Sequence, residues 1–149
     1  MATSPFSALP QVLSRREREF LRGANTIARE AAKAAGAAAV NTTRVDTGLA
    51  RSNWRATVGA PAASIIPPYA PGSKLGIGEQ GNAIGAISQQ TATFSSWDAA
   101  REIPAFITNN VPYISILNFG GPRVGPGNML AMAVQAWTIA VKTPRRILR

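Results

Sequence analysis

The chain has 149 residues, 46% of them apolar, with 16 Lys and Arg against seven Asp and Glu and a formal charge of +9. That length suits a single domain, residues 1–149, around one modest core, which much Ala and little bulk should leave thin. With no Cys and no His, thiolate and imidazole metal sites, Cys nucleophiles, His-based triads and disulfides are excluded, and no cofactor is expected.

Residues 1–10 form an N-terminal arm with neither a basic nor an apolar signal region, and no stretch reaches the ~18 apolar residues of a membrane span. The sequence therefore reads as soluble, unsecreted and without a membrane partner. Ser14-Arg15-Arg16-Glu17 has the form of a capping box and predicts a helix starting there or just after Pro10. Phe20, Ala24, Ile27, Ala31 and Ala34 or Ala35 then recur three and four residues apart, with Arg15, Arg18, Arg22 and Arg29 on the other side. This pattern predicts a long amphipathic helix ending near Val40. Its small-sided half, Ala31 to Ala39, invites close approach of a neighbour.

Thr42 to Gly48 reads as a turn, in which Asp46 caps a backbone N–H and Gly48 is free to take positive φ. A short segment Leu49 to Trp54 follows, and the alternation in Arg55 to Gly59 predicts a first strand. Ala60 to Gly81, rich in Pro and Gly, predicts an extended loop that reaches outside the subunit's own fold. Asn82 to Arg101 places Ile84, Ile87, Thr91, Phe94 and Ala99 at roughly helical spacing, interrupted by Gly85. Ala105 to Asn110 reads as a second strand, and Pro112 opens a short helix through Leu117. After a Gly-rich loop, Met129, Ala133, Ala136, Trp137 and Ala140 predict a closing helix stopped by Pro144, with residues 142–149 as a basic tail. The architecture expected is α+β: a long N-terminal and a C-terminal helix on a small, mainly antiparallel sheet, with long Gly/Pro-rich loops.

No carboxylates pair closely in a loop as metal binding or acid–base catalysis would require. Glu17 and Glu19 lie among arginines and read as surface ion pairs. Residues 76–81 spell G-x-G-x-x-G but lack the preceding buried strand that a dinucleotide loop needs. Trp54, Trp97 and Trp137 read first as core residues with the indole N–H satisfied, and otherwise as subunit contacts. The chain is not expected to be an enzyme. Its positive field suits DNA or an acidic protein face. The basic residues gather in the first third and at Lys142, Arg145, Arg146 and Arg149, with no interleaved aromatics for base stacking. Non-specific contact is thus favoured over sequence reading.

Three blocks carry a resemblance. Val45-Asp46-Thr47-Gly48, with Arg51, Asn53 and Trp54, resembles the V-D-T-G-x-x-R-x-N-W signature of tailed-bacteriophage neck or tail-completion proteins, the head–tail joining, tail-terminator-like family. Ile107 to Gly120, with Asn109, Asn110, Pro112, Tyr113 and Leu117, is similar to that family's I-x-N-N-x-P-Y-x-x-x-L-E-x-G segment, and Gly125 to Met129 to its turn into the last helix. Asn118 stands where the family has Glu, and Gly121 to Pro126 differs from its S-x-Q-A-P loop. The resemblance implies a structural virion protein, assembled in the host cytoplasm, whose homo-oligomeric ring (hexamer, alternatively dodecamer) sits at the neck or tail end. Its neighbours would be adaptor or stopper and tail tube or sheath proteins, with non-specific contact to genomic DNA in the channel. Asp46, Gly48, Arg51, Trp54, Asn109, Tyr113, Gly120 and Met129 are the implied turn and interface residues, and Lys142, Arg145, Arg146 and Arg149 the electrostatic contacts. A basic, DNA-associated, non-enzymatic protein is the alternative.

Overall fold

The computed structural model describes residues 8–44, 47–72 and 78–143. Helix α1, Leu9–Thr42, is 34 residues long and so spans about 50 Å. It begins upstream of the expected capping box, with Pro10 in its first turn, where the fixed proline φ favours a helix and its missing N–H is not needed. Ser14 lies inside the helix. The residues of α1 that are buried, Ala31, Ala32, Ala35, Gly36, Ala39 and Val40, all belong to its C-terminal half.

The chain continues through α2 (Leu49–Ser52), β1 (Arg55–Val58), α3 (Glu79–Ser96), a 3₁₀ turn (Ala99–Arg101), β2 (Ala105–Thr108), α4 (Ile114–Phe119) and α5 (Met129–Lys142). The architecture is α+β, with a two-stranded antiparallel sheet pairing Arg55 with Thr108 and Val58 with Ala105. The other edge of β1 is closed by a side chain. Gln89 of α3 accepts from Ala56 N at 3.0 Å and donates to Ala56 O at 2.8 Å, taking the place of a third strand.

Helix α3 runs antiparallel to α1. Its end near Glu79 meets the C-terminal end of α1 through Arg51, while Asp98, just beyond its other end, accepts from Asn25 at 3.1 Å. Asn82, Ala86, Gln90 and Phe94 form its buried stripe, so the sequence expectation of a helix holds, while its inward face is turned from the expected one and shares with it only Phe94 and the half-buried Ile87. Ile84 is exposed, and two amides lie inside because backbone groups there need partners. At Gly85 the helix is not interrupted, and the Tyr69 ring lies where a side chain would stand. Gly36 permits a very close approach: a Cβ there would lie 2.1 Å from Gln90 Oε1.

Helix α5 starts beside the C-terminal end of α1, where Met129 Sδ is 3.0 Å from Thr43 Oγ1, and packs back along α1. The core has two parts. One holds Ala39, Val40, Trp54, Ala86 and Met129, the other Ala32, Ala56 and Phe94; Phe94 meets Trp97 edge to face with ring centres 6.3 Å apart. Alanine supplies four of those eight residues, so the core is thin, as composition predicts. Among the described residues no helix is long and apolar enough to cross a membrane.

Candidate functional site

Four consecutive residues, Arg51, Ser52, Asn53 and Trp54, are all buried between the end of α1, the loop 60–72 and α3. Three of them are polar, and each is occupied with backbone. The Arg51 guanidinium donates to Thr43 O from Nε and Nη2 at 3.1 and 2.6 Å and to Asn41 O at 3.4 Å, so a cation satisfies carbonyls that the end of α1 leaves without helical partners. Arg51 also reaches Glu79, at its carbonyl (3.4 Å) and its carboxylate (2.9 Å). Trp54 Nε1 donates to Thr43 Oγ1 at 2.7 Å, and that hydroxyl donates to Ala39 O at 2.7 Å.

The other two side chains hold the loop. Asn53 donates to Ile66 O and accepts from Ile66 N, both at 2.8 Å. Ser52 Oγ accepts from Tyr69 N at 3.1 Å and donates to Asn82 Oδ1 at 2.7 Å, and Asn82 bonds Ala70 N and O at 2.8 Å each. Asn110 donates to Ala62 O. The described part of the expected outward loop is thus laid against the body, a correction whose cause is this series of amide and hydroxyl bonds. The regular chain resumes at Glu79, inside the stretch expected to be loop.

Of the sequence-predicted residues, Gly48 precedes α2 with φ +82°, and a Cβ there would lie 2.1 Å from Asn82 Nδ2. Asp46 lies outside the described residues, as do Arg145, Arg146 and Arg149. Asn109 donates to Ala50 O at 2.7 Å, tying the end of β2 to α2. Gly120 has φ +88° at the end of α4, where only glycine fits without strain. Met129 is fully buried. Tyr113 and Lys142 are exposed and stand apart from this network. Trp54 and Trp97 satisfy their indole N–H groups, Trp97 on Ile103 O at 2.8 Å. Trp137 does not take the core role first expected, because the inward positions of α5 fall at Met129, Ala133, Ala136 and Ala140, leaving its indole on the outer face. Glu19 forms the expected surface pairs with Arg15 and Arg16, at 3.6 and 3.3 Å.

Thr43, Asn82, Gln90 and Asn118 escaped the sequence reading. Gln90 donates to Trp54 O at 2.7 Å; Asn118 Oδ1 accepts from Leu130 N at 2.9 Å, capping the first turn of α5. The signal for Asn82 and Gln90 is their spacing of four on either side of Ala86, in register with Phe94. Among the described residues no three acidic side chains converge as a metal site requires. What the arrangement does chemically is join segments distant in sequence. Compared with protein-family models, curated proteins and solved structures, the chain finds no match.

Proposed function

We propose that this chain is a structural subunit of a tailed-phage virion, forming a homo-oligomeric ring at the head–tail junction that joins the portal–adaptor complex to the tail. One observation carries the reading: the three sequence blocks of the resemblance interlock in space. Asn109 of the second block bonds Ala50 within the first, and Trp54 of the first and Met129 of the third meet on the same hydroxyl, that of Thr43. Residues that co-occur because they build one junction fit a family scaffold better than a chance likeness. The departure at Asn118 fits too, since its amide oxygen supplies the acceptor at the start of α5 that a carboxylate could supply.

Arg51, Asn53, Asn109 and Asn118 of these blocks are engaged with backbone, which supports a scaffolding role over a catalytic one. In this reading the charge of +9 faces a channel or an acidic neighbouring ring, and any DNA contact is weak, salt-sensitive and blind to sequence. The native mass of the purified chain tests the proposal. A closed ring of six or twelve copies is expected, whereas a monomer or dimer refutes it, and tight DNA binding with steep salt dependence by that species then favours a DNA-associated protein. In the phage, neutralising Arg145, Arg146 and Arg149 together should leave folding intact and impair head–tail joining or retention of packaged DNA.

A further inference from the structure

Two bulky apolar surfaces of this chain face solvent, and their lengths match. The first is the N-terminal part of α1. Residues 8–22 are exposed at every position, and Leu9, Leu13 and Phe20 share one side at spacings of four and seven; Leu13 is 59% and Phe20 73% exposed. The second is the outer face of α5. Beside its inward stripe, Leu130, Val134, Trp137 and Val141 follow one another at intervals of four, three and four, and Val134 is 66% exposed. From Met129 to Val141 this helix has no charged residue. Uncharged, with only Gln135 and Thr138 as polar residues in that span, the helix has too little polar surface for a solvent-facing one, and an exposed apolar stripe of this extent marks an interface.

This exposed part of α1, residues 9–22, is a helical arm continuous with the half of α1 that packs in the body, so it cannot turn back to cover the α5 of its own chain. We infer that the arm of one copy lies along the outer face of α5 in a second copy. Each surface is about 20 Å long at 1.5 Å per residue. Pairing them buries on the order of 1,000 Å² counting both sides, the lower bound for a specific interface, and a copy that uses both surfaces makes two such contacts. The pairing repeats with the adjoining face of α5 the α1–α5 packing that each chain already contains. An uncharged α5 face also lets one strongly basic copy receive another without setting arginine against arginine, while Glu19 holds Arg15 and Arg16 to the arm itself. Since the two surfaces differ, the contact is head-to-tail, and such contacts close into rings or run on as filaments. The inference deepens the ring reading by naming the surfaces that would build it, and rests on that reading for closure alone.

Full-length Leu13→Asp and Val134→Asp variants test it by native mass spectrometry and sedimentation, with circular dichroism confirming that each retains the wild-type melting transition. Wild type is expected to oligomerise, and each variant alone to be monomeric. Mixed, the two should form a one-to-one heterodimer and nothing larger, because one intact arm then meets one intact α5 face. An oligomer from Leu13→Asp alone or from Val134→Asp alone overturns the arm–α5 contact while leaving the ring reading standing. A mixture that stays monomeric overturns it as well. Monomeric wild type overturns both.

Discussion

Replacing Arg51 by Met separates two ways in which a buried cation can hold a fold. The guanidinium, with 7% of the side chain exposed, faces one carboxylate and three backbone carbonyls. Glu79 is half exposed, so water screens that ion pair, and its share is about 0–1 kcal/mol. Thr43 is different: it is buried, and its carbonyl receives two of the donors, at 3.1 and 2.6 Å. A hydrogen bond to a charged group contributes about 1.5–3 kcal/mol, and a buried acceptor left unpaired costs about 1–3 kcal/mol. Removing a cation from the interior offsets part of this. The expected net loss is about 2–4 kcal/mol for Arg51→Met and below about 1 kcal/mol for Glu79→Gln. At about 2–4 °C per kcal/mol for a chain of this size, Tm falls on the order of 10 °C for the first and no more than roughly 4 °C for the second. Arg51→Lys keeps the charge without the planar fork and should fall between them. Thermal and urea unfolding followed by circular dichroism measures all three. A wild-type-like Arg51→Met, or a Glu79→Gln loss of the same size, would sink the assignment of Arg51 to the end of α1.

Gly36→Ala should destabilise by about 1–3 kcal/mol through overpacking, despite a gain of up to about 1 kcal/mol in helix propensity, because its Cβ meets the Gln90 amide. In a Gln90→Ala background the same change should become neutral or stabilising, and a double-mutant cycle in urea that shows simple additivity refutes the contact. Asn118→Ala removes the acceptor of Leu130 N and should cost about 1 kcal/mol, with faster amide exchange confined to the start of α5; unchanged exchange there means that the cap is not made. Asn109→Ala, which frees Ala50 O and Val111 N, should cost about 1–2 kcal/mol by loss of a part-buried hydrogen bond and exposure of its partners, and urea unfolding at wild-type stability counts against the tie between β2 and α2.

The order of elements was legible in the sequence because the periods are strong where packing is simple. Helix α1 carries a small-residue stripe, α5 has Met129 and Ala133 four apart, and β1 alternates. The reading went astray where tertiary partners decide. An apolar stripe drawn through Ile84 and Thr91 turns α3 from its true inward face, which keeps Phe94 and the half-buried Ile87 but also needs Asn82 and Gln90 inside to meet the backbone at Ala70 and Trp54. Ser14 looked like a cap, but nothing between Leu9 and Arg18 opposes a helix and Pro10 can start one. The loop 60–72 reads as free because Pro and Gly say only that it is irregular; that it is held follows from Asn53, Ser52 and Asn82, whose roles exist only once α2 and α3 lie side by side. Arg51, Trp54, Asn109 and Met129 were visible as a set through the resemblance of the blocks, whereas Thr43, the hydroxyl on which two of them converge, has no local mark at all.

The distribution of side-chain size has a consequence for how such a chain works. Inside, the helices meet through Ala31, Ala32, Ala35, Gly36, Ala39 and Ala86, so backbones approach closely but each contact removes little apolar area from water. Outside, Phe20, Phe119, Val134 and Ile139 remain largely exposed. A core of small residues tolerates many sliding registers, and what selects one of them is the directional set of bonds from Arg51, Asn53, Asn82 and Gln90 to backbone groups and from Trp54 to the Thr43 hydroxyl. Uniqueness of the subunit therefore rests on polar geometry. In the proposed assembly the bulky apolar area left outside would be buried between chains, so that folding and assembly would draw on different residues and could be altered separately.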